Sequence, residues 1–112
     1  MVDAGLKSEF EKFASKVKTN TNLKADDNQK LKFYGLFKVA TSGKYTEENK
    51  LKAGLLDFKT KYKNQSWELC SVLSQSEAMA EYIQFYCDLT GDKPSLDISQ
   101  FRAKTPVDIK LV

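Results

Sequence analysis

The sequence predicts an all-α protein: a small four-helix bundle with a long loop between the second and third helices. Three observations carry this. Apolar residues recur at three- and four-residue spacings in four separate segments. Capping residues stand at the fronts of these segments, and glycines close two of them. The one alternating, strand-like stretch, VDIKLV, is short and lies in the last part of the chain.

In the first segment Phe10, Phe13, Ala14 and Val17 form one stripe. Ser8 with Glu11 three residues on is a capping-box pair that predicts the helix start, and the polar run TNTNLKADD ends the helix. Asp26 or Asp27 caps the second helix, which continues through KLKFYGLFKVAT to Ser42-Gly43. Residues 43–56 (GKYTEENKLKAGLL) form the long polar connection. Asp57 is an acceptable N-cap for a third helix, with Phe58, Tyr62, Leu69 and Val72 as its apolar positions. Ser74 and Glu77 make a second capping box. It opens a fourth helix whose Ala78, Met79, Tyr82, Ile83, Tyr86 and Leu89 form the clearest stripe in the chain, and Gly91 stops it. These segments make one domain over residues 1–91. Residues 92–112 hold both prolines and VDIKLV, and read as a tail that either docks on the bundle or stays partly ordered.

Composition narrows the function. Eighteen basic and 15 acidic residues leave a net charge of +3, too little excess to neutralise a nucleic-acid backbone, though enough for a local basic patch on a small anion. Histidine is absent, which removes the commonest general base and the usual catalytic metal ligand. No metal or cofactor is expected. Cys70 and Cys87 lie inside apolar-periodic segments without framework spacing. They read as two buried reduced thiols, with a disulfide between neighbouring helices as the alternative. The N-terminal MVDAGLKSEFEKF has no apolar core of a secretory signal. No segment approaches the roughly 18 apolar residues of a membrane span. The expectation is a cytoplasmic protein that is not integral to a membrane.

The stretch KLKFYGLFKVATSGK crowds Phe33, Tyr34, Leu36 and Phe37 between Lys32 and Lys38. On a helix Leu31, Tyr34, Lys38 and Thr41 share a face, with Phe37 beside them. A stripe that starts apolar and ends in a hydroxyl, a ring and a cation suits a ligand with an oily part, a flat part and an anionic part. Downstream, Lys59, Lys63 and Trp67 fall four residues apart on one face, again placing lysine beside aromatics. Taken singly such features are dull. Aromatic stripes are usually core, the reading for Phe10, Phe13, Phe33, Ile83 and Tyr86, and lone lysines are usually solvated, the reading for Lys12, Lys24, Lys50 and Lys104.

In order along the chain, these pieces resemble the acyl-CoA-binding protein family. Its L-x-x-Y-x-x-Y-K-Q-A-T-x-G segment is similar to LKFYGLFKVATSG, from Leu31 to Gly43. Its L-D-F-x-x-K-x-K-W-x-A-W resembles LDFKTKYKNQSW, from Leu56 to Trp67, and its S-x-x-x-A-M-x-x-Y-I is matched by Ser74 with SEAMAEYI. The resemblance covers residues 8–90 and leaves the tail outside. It implies a bundle of that family's type that binds medium- to long-chain fatty acyl-CoA thioesters, as a monomer and without catalysis. It further implies a 3′-phosphate site at Tyr34, Lys38 and Lys63. Phe37 stands where the family stacks a tyrosine near the adenine, so one hydroxyl is lost. Tyr82, Lys18 and Leu31 complete the implied ligand set. Val39 replaces a glutamine, Asn64 replaces a tryptophan, and the loop is about three residues longer, within ordinary tolerance. Two other readings compete: a helical protein-interaction module, and an acyl-CoA enzyme such as a thioesterase. The enzyme reading is weak, because no histidine is available to activate a serine or cysteine.

Overall fold

The computed structural model describes residues 2–112. Four α-helices follow one another: α1 (Ala4–Thr19), α2 (Asp27–Ser42), α3 (Phe58–Cys70) and α4 (Gln75–Thr90). A single 3-10 turn, Ser99–Phe101, follows in the tail, and no strand occurs among the described residues.

The caps explain the boundaries. Asp26 and Gln29 exchange side-chain and backbone hydrogen bonds at the start of α2, as Ser74 and Glu77 do at α4. The Asp57 carboxylate accepts from the Thr60 N–H at 3.1 Å and opens α3. Gly43 and Gly91 end α2 and α4 at φ of 81° and 78°, where a side chain would be strained. The first helix corrects the expectation from Ser8. It starts earlier, because the Asp3 carboxylate accepts from the Leu6 N–H at 3.0 Å and adds a turn that carries Leu6 into full burial.

α4 lies against both α1 and α2, and α3 lies against α2. Phe10 meets Tyr82 and Phe13 meets Tyr86, both edge to face, so α1 and α4 run parallel. Phe33 meets Phe85 while the Gln75 amide donates to the Ala40 carbonyl, so α2 and α4 run antiparallel. α2 and α3 are parallel: the Ser66 hydroxyl donates to the Leu31 carbonyl, and one helical turn further on Cys70 faces Gly35. A parallel pair obliges the chain to travel back along the bundle, and residues 43–57 do so. Asn64 clasps this loop, accepting from the Leu51 N–H at 2.9 Å and donating to its carbonyl at 2.8 Å. The residue that departs from the tryptophan of the resembling family thus holds the longer loop in place.

The helices meet most closely at Gly35. A Cβ there would stand 2.5 Å from Ser66 Oγ, 2.7 Å from the Ser66 carbonyl oxygen and 2.8 Å from Cys70 Sγ. This approach turns Ser66, Trp67 and Cys70 of α3 into the interior. The expected apolar positions Phe58, Leu69 and Val72 are instead exposed. Among the helices α3 packs chiefly on α2, so only a narrow strip of it is buried, and Val72 falls beyond its last turn. Trp67 is the largest fully buried side chain, and its indole N–H donates to the Gly43 carbonyl at 2.9 Å.

The tail runs over the bundle. Ile98 and Ile109 are buried in the core cluster. The Glu9 carboxylate accepts from the Ser95 N–H and hydroxyl, and Lys16 pairs with Asp92 at 2.7 Å. Glu81 takes both the Arg102 guanidinium and the Ala103 N–H. Cys70 and Cys87 are buried free thiols. No helix among the described residues is long and apolar enough to cross a membrane.

Candidate ligand-binding site

The parallel run of α2 and α3 leaves a cleft of about 430 Å³ between their N-terminal halves. From α2 it is lined by Asp27, Lys30, Leu31 and Tyr34, and from α3 by Lys59, Tyr62 and Lys63. Leu31 and the two phenol rings make its apolar part. Lys30, Lys59 and Lys63 set three ammonium groups around it against the one carboxylate of Asp27. A second cleft of about 400 Å³ lies on the other side of Tyr34, where the α1–α2 connection meets α2 and α4, and includes Phe33, Phe37 and Tyr82. Lys30 and Tyr34 line both, so the two clefts adjoin.

The expected site residues fall in different places within this arrangement. Leu31 is in the first cleft, 8 % exposed. Tyr34 is half-buried between the two, and burial pushes its hydroxyl pKa above the usual phenol value. The Lys63 ammonium stands 5.3 Å from the centre of the Tyr34 ring. The Lys38 ammonium stands 4.6 Å from the centre of the Trp67 ring, one turn further along, and Lys38 lines neither cleft. Phe37 faces the second cleft, 5.9 Å from Phe10 and 6.3 Å from Tyr82 between ring centres. Tyr82 forms that cleft's buried wall, edge to face with Phe10 and Phe33, and burial raises its hydroxyl pKa strongly. Lys18 is exposed in the last turn of α1 and lines neither cleft.

Several cleft residues were not singled out as ligand contacts from the sequence, among them Lys30, Lys59, Tyr62 and Val112. Lys30 lies four residues before Tyr34, and Lys59 lies three before Tyr62 and four before Lys63, a signal that becomes usable once α2 and α3 are known to run parallel. Val112, from the tail, also lines the first cleft, and nothing local in the sequence points to it.

Chemically the paired clefts offer apolar surface, stackable rings and several cations, a set that recognises an amphiphilic anion. The thiols are poor nucleophiles. Burial pushes the Cys70 thiol up to about 11, and burial likewise raises that of Cys87. No three His, Cys, Asp or Glu side chains converge among the described residues.

Comparison with known proteins agrees with this geometry. The sequence profile of the family described as Acyl CoA binding protein matches residues 7–86. Acyl-CoA-binding domain-containing protein 2 of Oryza sativa subsp. japonica is 40 % identical over 79 residues, 70 % of this chain and 82 % of its own length. The acyl-CoA-binding protein of Gossypium hirsutum is 40 % identical over 79 residues, 70 % of this chain and 84 % of its own. The crystal structure of Oryza sativa acyl-CoA-binding protein 2 superposes with a TM-score of 0.68 at 38 % identity, covering 78 % of this chain and 90 % of that one. With the helices in the same arrangement and the profile covering all four helices but the first residues of α1 and the last of α4, the chain belongs to the acyl-CoA-binding protein family.

Proposed function

We propose that this chain binds medium- to long-chain fatty acyl-CoA thioesters without turning them over, and carries or buffers them in the cytoplasm as a monomer. The observation that carries the reading is the Tyr34–Lys63 pair at one end of an apolar cleft, within a chain of this family. Lys38 and Lys63 project from neighbouring helices one turn apart. Between them a 3′-phosphate finds two charge-assisted donors, with Tyr34 beside it. Phe37 and Tyr82 offer the second cleft's aromatic surface to the adenine. The acyl chain runs along Leu31 and Tyr62, each buried methylene contributing roughly 0.8 kcal/mol. Lys18, exposed at the end of α1 and outside both clefts, adds a further cation for the ligand's anionic head. The absence of histidine and the high thiol pKa values argue for storage over hydrolysis.

Calorimetric titration with palmitoyl-CoA, followed by chromatography of the ligand, tests this directly. Saturable one-to-one binding with the thioester intact is expected. Absence of binding would return the chain to the class of protein-interaction modules, and loss of the thioester would make it an enzyme.

A further inference from the structure

The family profile ends at residue 86, yet one wall of the first cleft comes from far beyond it. Buried Ile109 anchors the last stretch of the tail against the bundle. Beyond it the Asn28 side chain, in the first turn of α2, takes hold of the backbone. Its Oδ1 accepts from the N–H groups of Leu111 at 2.8 Å and Val112 at 2.9 Å. Its Nδ2 donates to the Val112 carbonyl oxygen at 2.9 Å. One asparagine thus makes three bonds to two consecutive residues, fixing the backbone where Val112 lines the cleft that Asp27 and Leu31 also line.

The position has a direction. Along α2 the order is Asp27, Leu31, Tyr34, Lys38, and along the parallel α3 it is Lys59, Lys63, Trp67. Lys30 and Lys59 add cations nearer the other end, but cation and ring pair at the Tyr34–Lys63 level and again at Lys38–Trp67, so an anionic head with a flat base belongs at that end. Val112 stands at the other end, about 10 Å along the helix axis from Tyr34, given roughly 1.5 Å per residue. An acyl chain leaving the head region has its distal methylenes there.

We infer that Val112, clamped by Asn28, is a specificity-determining residue for acyl-chain length. It offers an apolar wall that only the far methylenes of a long chain reach. This rests on the acyl-CoA reading above. Octanoyl thioesters end before the wall, while palmitoyl thioesters touch it. The tail therefore adds long-chain preference to a site whose head contacts all come from the helices.

Val112→Ala and Asn28→Ala, titrated with free coenzyme A and with octanoyl-, dodecanoyl- and palmitoyl-CoA, test the inference. Val112 is 64 % exposed, so its alanine variant folds normally. Thermal unfolding of Asn28→Ala checks the second variant. Both should weaken palmitoyl-CoA about three- to tenfold while changing octanoyl-CoA and free coenzyme A less than about twofold, as expected for partial loss of methylene contacts. Equal weakening of all four ligands, unchanged palmitoyl affinity, or tighter palmitoyl binding in Val112→Ala would each overturn it, the last by making the tail an obstruction. If the unaltered protein binds no thioester, the acyl-CoA reading itself falls. If it binds them all and Val112→Ala changes nothing, only the role of Val112 falls.

Discussion

The Lys63 ammonium rests 5.3 Å from the centre of the Tyr34 ring, and four residues further along both helices the partners trade roles, with Lys38 resting 4.6 Å from the centre of the Trp67 ring. Each helix gives one ring and one cation. Neither lysine makes an ion pair among the described residues. Their charge is held against aromatic faces, an attraction of about 0.5–1 kcal/mol at exposed sites, and stays available to an incoming anion.

Replacing either lysine should therefore be costly to binding and cheap to folding. Lys38→Ala and Lys63→Ala should each lose about 1.5–3 kcal/mol of charge-assisted bonding, roughly a tenfold to hundredfold weakening. Lys50, already paired with Glu47 at 2.7 Å in the loop, should change affinity less than about threefold when made alanine. Against a thioester without the 3′-phosphate, the penalties at Lys38 and Lys63 should shrink to that of Lys50. Equal effects at all three lysines would replace a localised phosphate site with diffuse attraction.

Binding should be level between about pH 7 and pH 9. The chain has no histidine, and burial moves the Tyr34 hydroxyl further above neutrality. Weakening near pH 6 should come from the ligand's phosphate, whose second pKa is about 6. Titrations with dephospho-coenzyme A thioesters should show no step there, and a surviving step would implicate a protein group.

Gly35→Ala should be among the most damaging single methyl additions in the chain. The new Cβ would meet a backbone oxygen at 2.7 Å as well as two side-chain atoms, and a backbone oxygen cannot swing aside. A loss of about 1–3 kcal/mol or more is expected from such overpacking, read by urea denaturation. Acyl-CoA affinity should fall too, because α3 must move off α2. Unchanged stability would mean the two helices can separate freely.

Acid should loosen the tail. Burial raises the pKa of the Glu9 carboxyl, but the bonds from the Ser95 N–H and hydroxyl and the charge of Lys12 outweigh it, leaving it below the usual range. The folded pKa lies under the unfolded value of about 4.3. Its stabilisation is thus present above that pH and lost as pH falls through the folded value. Glu9→Gln should cost about 1.5–3 kcal/mol at pH 7 and approach the parent protein as pH falls through the folded pKa of Glu9. A constant difference across that range would show that charge plays no part.

Legibility from sequence followed physical locality. Asp26, Asp57 and Ser74 were readable as caps because each oxygen bonds a backbone N–H three residues on. Ser8 misled because a capping-box pair can also fall inside a helix, and the structure caps α1 at Asp3, five residues earlier, where Leu6 is buried. The inner face of α3 could not be read from Phe58, Leu69 and Val72, since the approach at Gly35 decides which strip of α3 is covered. Leu31, Tyr34 and Lys63 line one cleft. Lys18 stays apart from both clefts. The pairing of Val112 with Asn28 spans 84 positions, and no local pattern encodes it.

The seat of Cys70 beneath Gly35 gives the protein a chemical clock of its own. Its thiol is fully buried, with burial pushing its pKa up to about 11, so an alkylating reagent gains access only when α3 lifts from α2. In a Cys87→Ser background, the alkylation rate would count those separations one by one. A ligand spanning Tyr34 and Lys63 fastens the same two helices and should slow the clock in proportion to its occupancy. The interior thiol then reports binding from the side of the helix pair that no ligand touches.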